Sequence, residues 1–205
     1  LHRKLSRLAL EFYGDPFLPF IWGQLCWPMH AAVQNGIKLV FFGENGEAEY
    51  GGDTAANNKP CWGVEEWERV YLKGGSVNKL LDIGIALGVI NETSACPYYR
   101  MPAVAERPEF HWLGYYTKWH PQGNYYNAVE HCGFEPCEAR SHATYSRYAS
   151  IDDKLDFLHY RLGFAKFGIG RATSDAAHEI RDGELEREEA LALVRRYDDE
   201  SPATS

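Results

Sequence analysis

One short apolar run constrains the fold more than any other feature of the sequence. Residues 37–42 are rich in β-branched and aromatic side chains, and Gly43 follows at once. Such a run predicts a strand that is buried on both faces in a parallel sheet. The loop after it, residues 43–53, places three glutamates among four glycines. Because ligands bind beyond the carboxyl ends of strands in open α/β sheets, this loop is predicted to lie at a site.

The rest of the chain is dominated by helical patterns. Helices are predicted at 1–12, ended by Gly14, in two short pieces within 64–88, at 122–131 and at 187–197. Apolar residues from Ile151 to Ala165 recur at steps of four and three, which predicts a further helix. Thr173 or Ser174 is expected to cap a short helix that reaches about residue 182. A second strand is predicted at 110–116, after an irregular, proline-rich connection at 92–109.

Composition excludes two classes of protein. The 29 acidic residues outnumber the 21 basic ones, which argues against a nucleic-acid groove. No uninterrupted apolar run approaches the ~20 residues that a membrane-spanning helix needs. The five cysteines are an odd, scattered set, which favours free thiols and a cytoplasmic location. The chain begins with Leu1 and an amphipathic basic helix, so we expect an internal cut rather than a natural start.

Two groups of charged residues are candidates for phosphate chemistry. Clustered carboxylates such as Glu44 and Glu47 can hold Mg²⁺ bound to a nucleotide, although a solvated acidic turn has the same composition. Lys166 and Arg171 stand on either side of two glycines at a helix end, where a point charge and a bidentate fork could grip phosphate. The alternative is that they are ordinary charges complementing a helix dipole. The same region holds further polar candidates: Asp152, Asp153, Lys154, Asp175 and Arg181.

An aromatic and amide-rich stretch at 119–130 is a candidate sugar site, because flat rings and amides suit sugar hydroxyls. Its candidate residues are Trp119, Asn124, Tyr125 and Glu130. The competing interpretation is that these aromatic residues belong to the hydrophobic core. Cys132 and Cys137 could in principle bind zinc, but no second clear pair follows them. A nucleophile elbow, a Walker loop and a Rossmann fingerprint are absent from the sequence.

At these residues the sequence resembles the N-acetyl sugar amidotransferases of surface-polysaccharide and nonulosonic-acid biosynthesis, which belong to the PP-loop ATP pyrophosphatases. The loop at 43–52 is also similar to the Gly-Glu-Gly-x-Asp-Glu-x-x-Gly-Gly loop of asparagine synthetases. The matching blocks span nearly the whole chain: residues 2–5, 19–24, 43–53, 113–116, 119, 148–154, 166–175 and 197–198.

The resemblance implies an α/β fold, the C-terminal part of a Rossmann-like PP-loop (adenine nucleotide alpha hydrolase-like) parallel sheet with a helical C-terminal region. Residues 1–120 would belong to the α/β part, 121–200 to a helical substrate- and phosphate-binding region, and 201–205 to a polar tail. The family's cysteine-rich zinc segment and its Ser-Gly-Gly-x-Asp-Ser ATP loop do not occur in this chain. We therefore expect this chain to be incomplete on its own, with zinc only in the missing segment.

The resemblance also implies roles for the candidate residues. ATP and Mg²⁺ are the expected cofactors, with Glu44 and Glu47 near the metal, the pyrophosphate and the attacking ammonia. Lys166 and Arg171 would stabilise charge on pyrophosphate. The residues expected to bind substrate are Asn45, Tyr50, Trp119, Asn124, Tyr125, Glu130, Asp152, Asp153, Lys154, Asp175 and Arg181.

The reaction that the resemblance implies converts the N-acetyl group of a nucleotide-linked sugar into an acetamidino group, in lipopolysaccharide O-antigen or related glycan biosynthesis. ATP would adenylylate the acetamido oxygen, and ammonia would then displace AMP. A separate glutaminase subunit is the expected ammonia source, and homo-oligomerisation stays open. The alternative is a non-catalytic sugar-nucleotide or subunit-binding domain that lacks the ATP loop.

Overall fold

The computed structural model describes residues 1–44, 58–72, 74–91, 97–151 and 154–200. The chain divides into two compact units, Leu1–Trp119 and His120–Ser205. Within the described residues, every helix is too short or too polar to cross a membrane.

The first unit combines helices with a small parallel sheet. Its elements are α1 (His2–Tyr13), α2 (Leu18–Gln34), β1 (Leu39–Phe42), α3 (Val64–Glu66) with a π-helical turn (Trp67–Tyr71), α4 (Val77–Ala86), a 3₁₀ turn (Pro97–Tyr99), β2 (Glu109–Trp112) and α5 (Leu113–Tyr116). The core lies between α1, α2, α4 and one face of the sheet, and its largest fully buried side chains include Trp22, Leu25, Leu80, Leu81 and Trp112.

The N-terminal helix follows its sequence pattern, whereas α2 does not. Leu5, Leu8 and Ala9 are buried in α1, which ends at Gly14 in the left-handed conformation with φ 63°. The prediction of α1 is confirmed. The sequence did not predict α2, because Pro19 and Pro28 interrupt it. Pro19 lies in the first turn, where a missing N–H costs nothing, and burial of the surrounding apolar residues stabilises the helix around Pro28.

The two strands pair in parallel, with Leu39 opposite Glu109 and Phe42 opposite Trp112. The predicted strand at 37–42 is confirmed over its last four residues, but burial on both faces is wrong. Leu39 and Phe41 are 43% and 49% exposed, because α2 and Trp67 pack on the face that carries Phe42. The second strand ends at Trp112, earlier than predicted, since residues 113–116 turn into a helix. Parallel pairing is compatible with the expected PP-loop sheet, and that fold remains a proposal.

The second unit is helical. It contains α6 (Pro121–Cys132), α7 (Asp156–Phe167), α8 (Arg171–Asp182) and α9 (Arg187–Tyr197). The predicted helices at 122–131 and 187–197 are confirmed; α7 begins at Asp156, so Ile151 lies before the helix and not within it. Its buried residues are small or polar: Ala143, Thr144, Ser146, Ala149, Asp156, Ala172, Ala176, Ala190 and Asp198. Hydrogen bonds therefore carry much of the specificity of this interior.

A distant carboxylate caps the start of α8. Asp198 accepts hydrogen bonds from the backbone N–H of Gly170 at 3.1 Å and of Thr173 at 3.0 Å, and from the Thr173 hydroxyl at 2.5 Å. The prediction that Thr173 or Ser174 caps this helix is wrong, because both lie inside it. A Cβ at position 170 would lie 2.4 Å from Oδ1 of Asp198, so the close approach requires Gly170.

We expect Asp198→Ala to lower the free energy of unfolding of the second unit by about 2 kcal/mol, since three donors lose their acceptor in a buried position. Urea unfolding followed by far-UV circular dichroism measures the change, and hydrogen exchange over residues 170–174 locates it. Asp199→Ala is the matched control, because it removes only an ion pair between Arg161 and a side chain that is 74% exposed. Equal effects of the two substitutions would contradict the capping role.

Candidate functional site

The second unit contains a cleft of about 490 Å³ between the loop at 137–151 and helices α7 and α8. Four basic side chains, Arg140, His142, Lys154 and Arg171, line it, and two aromatic rings, Phe157 and Tyr160, complete its wall. None of the described residues lining it is a carboxylate. A concave surface with this lining attracts an anion that carries an aromatic or apolar group.

Arg171 is held by three neighbouring side chains. Its Nε lies 3.1 Å from Oδ1 of Asp175, its Nη1 lies 3.7 Å from Oδ2 of Asp156, and its guanidinium lies 4.6 Å from the centre of the Tyr160 ring. Burial opposes the charged form, but Tyr160, Asp175 and Asp156 outweigh it and raise the pKa of Arg171. The side chain therefore stays charged and held in one orientation at the cleft wall.

The loop that forms the other wall is attached along one face of α8. Thr144 donates its hydroxyl hydrogen to Oδ2 of Asp175 at 2.5 Å, and Tyr145 donates to Oε2 of Glu179 at 3.0 Å. Arg171, Asp175 and Glu179 are spaced by four residues, so they share a face of the helix. Burial raises the pKa of Glu179, and the neighbouring Asp175 adds to that shift. These contacts hold the loop in place.

Two residues of the loop at 137–151 have an unusual backbone conformation. Ala143 and Ser150 have positive φ angles of 58° and 56°, which cost energy in residues with a side chain. Ala143 is held by its carbonyl, which accepts a hydrogen bond from the N–H of Ala172 at 3.1 Å. Ser150 donates to the carboxylate of Asp156, at the start of α7. The strain is therefore offset by bonds to both helices that border the cleft.

Arg140 is fixed by a carboxylate sixty positions later in the sequence. Its Nη1 and Nη2 donate to the two oxygens of Glu200 at 2.8 and 2.5 Å, and its guanidinium lies 4.6 Å from the centre of the Tyr197 ring. The N–H of Ala143 also donates to Glu200, at 2.9 Å. Hydrogen bonding by Arg140 is the largest cause that lowers the pKa of Glu200 to about 2.

This depressed pKa predicts a dependence of stability on pH. Because the folded-state pKa of Glu200, about 2, lies below its ordinary value of 4.5, the stabilisation is complete above pH 4.5 and is lost as the pH falls towards 2. We expect Glu200→Gln to lower the free energy of unfolding at pH 7 by about 1 kcal/mol. It should also flatten the dependence on pH between 4.5 and 2. Urea unfolding across this range measures both effects, and the exposed Glu135 supplies the control Glu135→Gln. A wild-type slope in Glu200→Gln would contradict the assignment.

The aromatic stretch predicted as a sugar site forms part of α6. Tyr125 stacks on Tyr148 with ring centres 4.4 Å apart, and Tyr148 donates its hydroxyl hydrogen to Oε1 of Gln122 at 2.8 Å. Burial is the main cause that raises the pKa of Tyr148 to about 12. Asn124 and Glu130 are exposed on the same helix. Among the described residues, none of these α6 side chains lines the basic cleft, and Trp119 closes the first unit.

In the first unit, Glu44 lies just beyond the carboxyl end of β1, and its carbonyl accepts a hydrogen bond from the N–H of Gly114 at 2.9 Å. It borders a cleft of about 400 Å³ together with Gln24, Trp27 and Tyr98. Five predicted site residues lie outside the described residues: Asn45, Glu47, Tyr50, Asp152 and Asp153.

Metal binding has no support among the described residues. No group of three or more His, Cys, Asp or Glu side chains there could hold a metal ion. Cys132 and Cys137 are both free and exposed. Cys26 and Cys61, in the first unit, are also free thiols. Glu44 and Glu47 as a Mg²⁺ pair therefore remain a proposal.

Residues 142–204 match the family described as "LPS biosynthesis protein WbpG-like, C-terminal domain". A comparison with curated proteins gives no match. The matched segment contains Lys154, Arg171 and Glu200, so it includes most of the basic cleft. This part of the chain is therefore similar to a domain of lipopolysaccharide-biosynthesis proteins. The sequence resemblance also implied a role in lipopolysaccharide biosynthesis.

Some of the predicted site residues of the second unit line this cleft, and others do not. Lys154 and Arg171 line it, and Asp175 orients Arg171 from behind. Lys166 and Arg181 lie in the last turns of α7 and α8, and neither is among the described lining residues. Because Glu44 belongs to the first unit and the two cations to the second, their convergence on one nucleotide stays a prediction.

Sequence reasoning missed four of the cleft residues: Arg140, His142, Phe157 and Tyr160. Arg140 and His142 stand two positions apart in an irregular segment, where no periodicity points to a site. Phe157 and Tyr160 lie three positions apart on α7, and this spacing is the one signal that could have placed them on a shared face.

Proposed function

We propose that this protein takes part in lipopolysaccharide biosynthesis as an ATP-dependent amidotransferase that converts the N-acetyl group of a nucleotide-linked sugar into an acetamidino group. The observation that carries the proposal is the basic, aromatic-walled cleft in the segment that matches a lipopolysaccharide-biosynthesis domain. The reaction itself is taken from the sequence resemblance.

The lining of the cleft suits a nucleotide-linked sugar. A diphosphate is a compact anion, and the cleft offers an exposed ammonium on Lys154, the imidazole of His142 and the fixed guanidinium of Arg171. Phe157 and Tyr160 provide flat faces for a base or a sugar ring. Because Asp156 and Asp175 hold Arg171 in place, it can receive a phosphate without the cost of ordering its side chain.

The proposed reaction needs an activated amide, since an amide oxygen is a poor leaving group. Adenylylation of that oxygen by ATP turns it into AMP, and ammonia then forms the new carbon–nitrogen bond. In this scheme the fixed positive charge of Arg171 stabilises negative charge on phosphate. Glu44, at the carboxyl end of β1, lies where ligands of parallel sheets bind and would face the nucleotide and the amine.

The test supplies ATP, Mg²⁺, ammonium and a UDP-linked N-acetyl sugar to a protein that contains this chain. We expect AMP and pyrophosphate in equal amounts, together with a sugar product in which NH has replaced one oxygen, identified by mass spectrometry. Glu44→Gln and Lys166→Ala should each reduce AMP formation without unfolding the protein. Wild-type AMP formation in both variants would contradict their assignment, and AMP formation that needs no N-acetyl sugar would contradict the proposed reaction.

A second candidate function is a non-catalytic sugar-nucleotide-binding domain. Cations and aromatic rings are enough to bind a phosphate and a sugar or base, and the basic cleft supplies both, which supports this function. Binding of the UDP-linked sugar without any AMP formation, in a protein that also carries an ATP-binding segment, would select this function over the enzyme.

A further inference from the structure

Three side chains of the first unit form a linear hydrogen-bonded chain that the proposed site residues do not include. Oε2 of Glu109 lies 3.2 Å from Nε2 of His111, and Nδ1 of His111 lies 2.5 Å from the hydroxyl of Tyr116. The imidazole thus connects a carboxylate on one side with a phenol on the other. The same order of groups, carboxylate to imidazole to hydroxyl, activates hydroxyls in many enzymes.

The partners decide the tautomer of His111. An ionised carboxylate only accepts hydrogen bonds, so Nε2 of His111 must carry the hydrogen that points to Glu109. In the neutral ring Nδ1 is then an acceptor, and the Tyr116 hydroxyl donates to it. The imidazole is therefore oriented to take the phenol proton, and the carboxylate is placed to stabilise the imidazolium that results.

Packing holds the two rings of this chain of groups in place, whereas the Glu109 side chain is 75% exposed. The His111 and Tyr116 rings are parallel within 3°, with centres 5.9 Å apart, and the Phe41 ring contacts both edge-on. The backbone of His111 pairs with Phe41 on one side and forms a bridge with Cys61 on the other. The His111 side chain is 14% exposed, whereas Tyr116 is 53% exposed. A shielded base therefore lies behind a hydroxyl that a ligand can reach.

Tyr116 also lies at the end of the sheet where functional groups are typically found. Tyr116 belongs to α5, the helical turn that directly follows β2, and thus lies beyond the carboxyl end of that strand. The N–H of Gly114 in the same turn donates to the carbonyl of Glu44, which lies beyond the carboxyl end of β1. Because the strands are parallel, Tyr116 and Glu44 follow their carboxyl ends at the same edge of the sheet. This is the edge at which open α/β sheets bind ligands.

We propose that Glu109, His111 and Tyr116 form a proton relay that deprotonates the nitrogen nucleophile, an inference that rests on the proposed amidotransferase function. As the ammonia nitrogen bonds to the imidate carbon, one of its protons passes to the Tyr116 oxygen, and the phenol proton passes to Nδ1 of His111. The carbon–oxygen bond to AMP then breaks, and its electron pair leaves on the AMP oxygen. Tyr116 touches the reacting nitrogen, whereas His111 and Glu109 act through it.

The test separates adenylylation from the ammonia step. In Tyr116→Phe we expect pyrophosphate exchange into ATP, in the presence of the sugar and without ammonium, to stay within about 2-fold of wild type. Ammonium-dependent product formation should fall about 100-fold, within the range for loss of a general base. Tyr115→Phe is the matched control, because it removes the same hydroxyl from the neighbouring exposed tyrosine.

Hydroxylamine as nucleophile distinguishes a relay from a structural role. It is a weaker base than ammonia and loses its proton more readily after attack, so the defect of Tyr116→Phe should shrink several-fold when hydroxylamine replaces ammonium. His111→Gln should show the same pattern. Nitrogen-15 NMR of this chain should in addition find the hydrogen of His111 on Nε2 and none on Nδ1.

Each outcome decides between the claims. Absence of pyrophosphate exchange in a wild-type protein that contains this chain and an ATP-binding segment would overturn the proposed function, and the relay with it. Wild-type exchange with equal ammonium-dependent rates in Tyr116→Phe and Tyr115→Phe would overturn the relay alone. An identical loss with ammonium and hydroxylamine, or a hydrogen on Nδ1 of His111, would also overturn it.

Discussion

Arg171→Met should lower the free energy of unfolding of the second unit by about 3–5 kcal/mol, the cost of breaking a buried ion pair by removing one partner. Asp156 is 9% exposed and Asp175 is half-buried, and both would lose the guanidinium that neutralises them. The cation–π contact with Tyr160 would be lost as well. Urea unfolding followed by far-UV circular dichroism measures the loss, and hydrogen exchange along α8 assigns it to the second unit.

Two further variants test the cause of this loss. Arg195→Met makes the same change at an exposed position of α9 and should change stability by less than about 0.5 kcal/mol. Adding Asp156→Asn and Asp175→Asn to Arg171→Met should restore part of the stability, because the unpaired charges are then removed. If the triple variant is no more stable than Arg171→Met, the loss comes from packing and not from the uncompensated carboxylates.

The second large effect concerns the exposed cation of the basic cleft. We expect Lys154→Glu to weaken binding of a UDP-linked N-acetyl sugar by at least about 10- to 100-fold, because a charge-assisted hydrogen bond of about 1.5–3 kcal/mol is replaced by repulsion. Isothermal titration calorimetry measures the affinity. Raising the salt concentration should weaken wild-type binding more than binding by the variant, since the attraction is electrostatic.

Arg195→Glu is the control for net charge, as it makes an equivalent change outside the described lining of the cleft. It should leave the affinity within about 2-fold, because salt screens the attraction between a ligand and an exposed charge that does not contact it. Equal losses in Lys154→Glu and Arg195→Glu would show that overall charge, and not a contact in the cleft, governs binding.

Local patterns predicted much of the secondary structure. The helical spacing of Leu1, Leu5, Leu8 and Phe12 and the glycine after them predicted α1, although Phe12 is 51% exposed in the structure. The same reasoning missed α2, because Pro28 breaks the expected pattern and only tertiary burial of its neighbours, such as Leu25 and Met29, restores it. Burial by partners distant in sequence leaves no local periodic signal.

The candidate site likewise contains residues that the sequence could predict and residues that it could not. Arg171 could be chosen from the sequence because it stands next to two glycines at a helix end, and Lys154 because it belongs to a block that resembles the family. Arg140 could not, since its orientation depends on Glu200, which follows the last predicted helix and is sixty positions away in the sequence. Asp198 capping α8 is a similar case: the acceptor lies after the following helix, beyond the reach of any capping motif.

The bond between Glu200 and the loop residues Arg140 and Ala143 has a consequence for the order of events during translation. Helices α6 to α8 leave the ribosome well before residue 200, but the guanidinium of Arg140 and the N–H of Ala143 lack this acceptor until that carboxylate has emerged. The orientation of Arg140 in the nascent chain should therefore be fixed late, after the helices have formed.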